Sequence, residues 1–118
     1  MPRLSTHVLD TAGGRPAAGV ALTLSRIEPD GSRAVLVRAT TNQDGRTAEP
    51  LLAGEAFAVG LYEIAFHVGD YFRKEGAALP DPPFIDVVPL RFGIADPAGH
   101  YHVPLLVSPW SFSTYRGS

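Results

Sequence analysis

The chain has 118 residues, of which 45% are hydrophobic and 19% charged, with a formal net charge of -2 and no cysteine. This length and composition indicate one folded, soluble domain, residues 1–118, with room for a substantial core. The slightly acidic balance, without any run of lysine or arginine, argues against a nucleic-acid partner, and the lack of cysteine excludes disulfides and thiolate metal sites.

The first half of the chain is typical of short strands joined by turns. Segments of alternating polarity predict strands over residues 4–10, 20–27 and 34–41. In the first of these, Ser5, His7 and Leu9 share one face. An Asp-Gly turn at residues 44–45 places Arg46 at the start of a further short strand.

The second half continues this pattern and adds one helix. Strands are predicted over residues 60–68, 84–94, 101–107 and 111–116, with a hairpin turn at 96–99 and a short helix within 70–76. The total of about eight strands without an internal repeat predicts an all-β fold, an antiparallel β-sandwich. The order of the strands does not follow from this pattern.

The four histidines are the first candidates for chemistry. His7 and His102 project from half-apolar strand faces, where a histidine is more often a surface or satisfied interior residue than a functional one. For His67 and His100 we favour that structural interpretation. His100 and His102 have the only spacing that could hold a metal, but a catalytic His102 is the better interpretation, and we predict no metal and no cofactor.

The chain shows no targeting or membrane segment. Its start lacks an apolar leader, and no stretch approaches the roughly 20 apolar residues of a membrane helix. We therefore expect a cytoplasmic protein without a membrane partner.

The last four residues, Tyr115-Arg116-Gly117-Ser118, are unusually rich in functional groups. They place a phenol, a guanidinium, a hydroxyl and a terminal carboxylate directly after a strand and an aromatic turn. Chain ends usually fray, so a tail that carries chemistry must be held in place. We therefore expect this tail to be buried or docked.

Several segments together resemble the transthyretin-related 5-hydroxyisourate hydrolases. They are residues 4–10, Gly14-Arg15-Pro16-Ala17-Ala18, Asp44-Gly45-Arg46, residues 100–109 and residues 113–118, in the order that the family shows. The resemblance implies a transthyretin-like sandwich of two four-stranded sheets, with a short helix after the fifth strand. It also implies a homotetramer, a dimer of dimers, whose central channel holds the sites.

The resemblance further implies hydrolysis of 5-hydroxyisourate, a small-molecule substrate from urate oxidation, to 2-oxo-4-hydroxy-4-carboxy-5-ureidoimidazoline. It implies four catalytic residues and four that bind substrate, two of them shared. The catalytic set is His7, Arg46, His102 and Ser118, and the substrate-binding set is His7, Arg46, Tyr115 and Arg116. Either histidine could be the general base, with His102 preferred. Trp110 and Phe112 depart mildly from the family pattern, in which tyrosines are common there.

Two other interpretations stay open at this point. The chain could be a transthyretin-like carrier of a small ligand without turnover, although His7, His102 and Arg46 suit a polar heterocycle better than an apolar hormone. It could also be a structural sandwich that assembles through its sheet edges, which leaves the histidines, the arginine and the tail without a purpose.

Overall fold

Nine strands and one α-helix make up the described part of the chain. The computed structural model describes residues 1–117, and Ser118 lies outside the described residues. The strands are β1 (Arg3–Asp10), β2 (Arg15–Pro16), β3 (Ala21–Ile27), β4 (Arg33–Thr40), β5 (Leu52–Ala53), β6 (Gly60–His67), β7 (Val87–Ile94), β8 (His100–Val107) and β9 (Phe112–Thr114). The helix α1 (Val68–Lys74) follows β6 directly, and a 3-10 turn spans Gly54–Ala56.

The strands form two sheets, which confirms the predicted all-β sandwich with one short helix. One sheet has the order β4-β3-β6-β7, and the other has the order β2-β1-β8-β9 with β5 also paired to β1. The second sheet therefore has five strands instead of the expected four. The difference comes from β2 and β5, which are only two residues long each and lie against β1.

The prediction of a purely antiparallel sandwich was wrong for one pair of strands. β1 and β8 run parallel, with Ser5 opposite His102 and His7 opposite Pro104. Alternating polarity shows which residues share a face but carries no information about the direction of a distant partner. This pair brings residues from near the two ends of the sequence together, and its two strands lie in the middle of the five-stranded sheet.

The core fills the space between the two sheets. On β1 and β8, every second side chain points inward, which explains the alternating burial along both strands. The largest fully buried side chains are Tyr62, Phe66, Leu4, Leu22, Leu24, Ile64, Ile94, Leu105, Val8, Val20, Val68 and Val88. Most inward positions of these two strands are apolar, with Thr6 and Asp10 as buried polar exceptions, whereas Ser5, His7 and His102 lie on the outer face.

Three predicted strands differ most from the structure. The strand predicted from residue 84 begins at Val87, because the proline-rich segment before it does not offer regular backbone donors. No strand starts at Arg46, which lies in a loop closed by its own hydrogen bonds. The last strand covers only Phe112–Thr114, shorter than the predicted 111–116.

The helix α1 is anchored to β1 through a buried carboxylate. Seven residues are too few for a helix that is stable in isolation, so packing must hold it. The Tyr71 hydroxyl donates a hydrogen bond of 2.8 Å to Asp10 Oδ2, and the Gly13 amide donates one of 2.7 Å to Asp10 Oδ1. Among the described residues, no helix has the length and apolar character needed to cross a bilayer.

We expect Tyr71→Phe to lower the free energy of unfolding by about 1–3 kcal/mol, because it leaves one oxygen of the buried Asp10 without its donor. Urea unfolding followed by fluorescence measures this change. Tyr115→Phe is the matched control, since its ring is exposed and should cost almost nothing. Equal stabilities of the two variants would contradict the anchoring role.

Candidate functional site

The outer face of the parallel pair carries the first part of the site. Ser5 and His102 lie opposite each other on β1 and β8, and Ser5 Oγ is 2.8 Å from His102 Nδ1. His7 follows two residues after Ser5 on the same face. All three side chains are half-buried, so they are accessible to a small molecule yet partly shielded from water.

The loop that carries Arg46 is fixed against β1. The amides of Asp44 and Arg46 donate to the side-chain oxygen of Asn42, and the Val8 amide donates a bond of 2.8 Å to the Gly45 carbonyl. Gly45 has φ +75°, and a Cβ there would lie 2.3 Å from the Val8 carbonyl oxygen. Only glycine fits both constraints, which explains the Asp-Gly-Arg motif.

The exposed Arg46 side chain closes one side of an open pocket of about 300 Å³. The pocket is lined by Arg3, Ser5, Arg46, His100 and His102. Arg3 Nε donates a hydrogen bond of 3.0 Å to His100 Nε2. The structure thus brings the predicted Arg46 and His102 together, with His7 adjacent on β1.

The tail is docked, as its composition had suggested, although it is not buried. The Gly117 amide donates a hydrogen bond of 2.7 Å to the His102 carbonyl. A Cβ on Gly117 would lie 2.8 Å from His102 Cδ2, so the tail backbone packs directly on the imidazole. Ser118 follows at once in sequence, but its predicted catalytic role falls outside the described residues.

The side chains of the preceding two residues point elsewhere. The Tyr115 ring is exposed, with 58% of its surface accessible. The Arg116 guanidinium lies 4.0 Å from the centre of the Tyr101 ring, and Tyr101 points inward, away from the His102 face. The structure therefore does not bring the predicted substrate-binding Arg116 into the pocket.

The surroundings of His102 favour its neutral form. Burial lowers the pKa of His102 below its ordinary value of 6.5, and the positive charge of Arg46 and the neighbouring His7 and His100 lower it further. His102 is consequently mostly neutral at pH 7, with an available lone pair. This is the protonation state that a general base requires.

A metal site at His100 and His102 would need at least one further protein ligand. Within residues 1–117, no group of three or more His, Cys, Asp or Glu side chains is placed to hold a metal ion. His100 instead accepts the hydrogen bond from Arg3.

The sequence did not single out Ser5, Arg3 or His100 as site residues. Ser5 was already placed on the face of His7, but its contact with His102 depends on parallel pairing across 97 residues. His100 precedes the strand predicted over 101–107, whereas in the structure it begins β8, opposite Arg3. Correct pairing of β1 with β8 would have placed all three beside His102.

Comparison with known proteins decides the family. The family model described as HIUase/Transthyretin matches residues 4–117. The chain belongs to the HIUase/transthyretin family. This membership fits the transthyretin-like strand order and the motifs at both ends of the chain.

Individual members of the HIUase/transthyretin family cover this chain almost completely. It is 60% identical to 5-hydroxyisourate hydrolase 2 of Rhizobium meliloti (strain 1021), over 98% of this chain and 96% of that protein. A crystal structure of (S)-allantoin synthase is 50% identical, with a TM-score of 0.93. The match covers 99% of this chain and 44% of the synthase chain. Sea bream transthyretin in complex with thyroxine is 31% identical, with a TM-score of 0.86 over 98% of this chain and 94% of that chain.

We expect the His102 imidazole to titrate below pH 6.5, because its folded pKa is lowered. Since the unfolded chain binds this proton more readily, His102 protonation weakens folding as the pH falls through 6.5 and below. Histidine titration by NMR, assigned with His102→Gln, measures the pKa. A His102 pKa above that of the unfolded chain would contradict this description of the site.

Proposed function

We propose that this protein hydrolyses 5-hydroxyisourate to 2-oxo-4-hydroxy-4-carboxy-5-ureidoimidazoline, in the breakdown of urate. The observation that carries the proposal is one pocket in which the neutral imidazole of His102 lies beside the guanidinium of Arg46. The 60% identity to a protein named as a 5-hydroxyisourate hydrolase supports the choice of substrate.

Water activation is assigned to His102. With its proton on Nδ1, the imidazole donates to Ser5 Oγ and keeps the Nε2 lone pair for water. The activated water attacks C6 of the lactam, a C–O bond forms, and the C6–N1 bond breaks. The proton taken by His102 can then pass to the leaving nitrogen, so the reaction needs no cofactor.

Charge stabilisation is assigned to Arg46 and His7. The guanidinium presents fixed N–H donors, which suit the oxygens of a planar heterocycle and the oxyanion that forms at C6. The rigid Asn42–Gly45 loop limits the motion of the Arg46 backbone, so little reorganisation is needed during the reaction. His7, on the same face, binds substrate or relays the proton.

The tail is assigned to orientation of the catalytic groups. Tyr115 was expected to bind substrate, but its exposed ring lines a separate cleft with Tyr101 and Arg116 and not the His102 pocket. Ser118 can offer its hydroxyl to a histidine or to the water. Arg116 was expected to bind substrate as well, but its contact with Tyr101 favours an anchoring role.

Freshly generated 5-hydroxyisourate should lose its ultraviolet absorbance faster in proportion to added protein. His102→Ala and Arg46→Ala should each lower kcat/KM by about 100-fold or more, because they remove the base and the main donor to the oxyanion. Arg38→Ala is a matched control, since Arg38 is exposed on β4 of the other sheet.

Three outcomes would overturn the assignment. Near wild-type turnover in both site variants would remove His102 and Arg46 from the mechanism. Unchanged decay with folded wild-type protein would favour the carrier interpretation, which the similarity to sea bream transthyretin keeps as the second candidate. Inhibition by a chelator would revive the metal interpretation.

We further propose that the chain forms a homotetramer, a dimer of dimers. Among the described residues, no strand pairs with the outer edge of β9, whose side chains are exposed. Trp110, Phe112 and Phe84 expose large aromatic surfaces close to that edge, with 6.1 Å between the ring centres of Phe84 and Trp110. Such unpaired edges and apolar patches favour assembly with further copies.

Sedimentation equilibrium should give the mass of four chains. Phe112→Glu should reduce the mass, because it places a charge on the proposed interface, whereas the exposed Val35→Glu on β4 should not. A wild-type monomer at micromolar concentration would contradict the proposed assembly.

A further inference from the structure

The tail pairs with β8 in one interrupted antiparallel register. Thr114 lies opposite Leu105, and Gly117 lies opposite His102, which is the same register three residues further along. Between them the ladder is broken, because Pro104 has no N–H to donate toward Tyr115. The Pro104 carbonyl instead accepts a hydrogen bond of 2.8 Å from the Thr114 hydroxyl.

A side-chain contact spans this break. The Arg116 guanidinium lies 4.0 Å from the centre of the Tyr101 ring, a distance that allows a cation–π interaction. The ring is itself held firmly: the Tyr101 hydroxyl accepts hydrogen bonds of 3.1 Å from the amides of Ala95 and Asp96, and the ring packs against Phe57. Tyr101 therefore offers Arg116 a fixed platform.

The tail thus contacts β8 on both faces. Tyr101 and His102 are consecutive, and their side chains point to opposite faces of the sheet. Their partners, Arg116 and Gly117, are consecutive as well. Arg116 contacts the inward Tyr101, while Gly117 packs on the outward imidazole so closely that a Cβ added to Gly117 would lie 2.8 Å from His102 Cδ2.

We propose that Arg116 and Tyr101 are a positioning pair, which holds Gly117 against His102 and so sets the orientation and solvent exposure of the catalytic imidazole. The link to turnover rests on the hydrolase function proposed above, whereas the effect on Gly117 and His102 does not. Arg116 then acts through the tail instead of through the substrate.

The other neighbours of His102 limit how far the Arg116–Tyr101 pair can change the His102 pKa. Charged or titratable groups reach it from β1 (Arg3 and His7), from the loop (Arg46) and from β8 itself (His100). None of these belongs to the tail. Release of Gly117 would therefore remove burial while leaving the positive surroundings in place, and the His102 pKa would rise toward its ordinary value without reaching it.

Two readouts that do not need turnover test the pair. In Arg116→Gln and in Tyr101→Leu, the Gly117 amide should exchange with solvent about tenfold faster, and the NMR titration of His102 should move to higher pH. Arg116→Lys should fall between wild type and Arg116→Gln, because lysine keeps the charge but not the planar stack. Arg38→Gln on β4 serves as the matched control and should change neither readout.

Turnover should follow the same order. We expect kcat/KM at pH 7 to fall about tenfold in Arg116→Gln, and its acid limb to shift upward with the His102 titration. Tyr101→Phe keeps the ring and should retain more activity than Tyr101→Leu. A double variant, Arg116→Gln with Tyr101→Leu, should be no worse than the poorer single variant, because both remove one interaction.

An unchanged Gly117 amide and an unchanged His102 titration in Arg116→Gln would overturn the proposal. If Tyr101→Leu fails to fold, Arg116→Gln alone decides, because Arg116 is exposed and is not one of the core residues. Normal Gly117 protection with a KM increase and an unshifted pH profile would make Arg116 a substrate-binding residue instead. Wild-type protein without hydrolase activity would refute the proposed function while leaving the amide and titration tests valid.

Discussion

The parallel pairing of β1 with β8 is the contact on which the candidate site depends. It sets Ser5 against His102 and brings His7 onto the same face, although the two strands lie at opposite ends of the chain. A shift of this register by one residue would turn His102 into the core and Tyr101 toward solvent. The apolar inner faces of both strands therefore fix the position of the imidazole more firmly than any polar contact does.

The site places one neutral base among positive neighbours. Burial and nearby guanidinium groups both disfavour a protonated His102, so the same surroundings prepare the base and attract an anionic or oxygen-rich ligand. The loop and strand backbones hold Arg46 and Arg3 at the rim of the pocket, where both side chains stay exposed to water. Solvent there reduces the repulsion among the positive groups.

Much of this arrangement could be predicted from the sequence. Alternation placed Ser5 and His7 on one face of β1, as the structure shows, and the terminal motifs identified the family. The partner of β1, the role of Ser5 and the start of β8 at His100 could not be predicted, because pairing between distant strands depends on tertiary packing. The interruption of the β8–tail hydrogen bonds at Pro104 could have been predicted, since a proline in a central strand removes one backbone donor. The direction of the Arg116 side chain was not, because it depends on the ring of Tyr101.

The pairing of the first long strand with the last has a consequence for how the protein is made. During synthesis β1 leaves the ribosome well before its partner β8, which follows nearly a hundred residues later. Until then the apolar inner face of β1 and its unpaired edge are open to other chains. The high sequence separation of this contact also predicts slow folding, because the closure entropy of a long loop must be overcome before the pair forms. The nascent chain is thus most exposed to aggregation just before the His102 imidazole acquires its neighbours on β1.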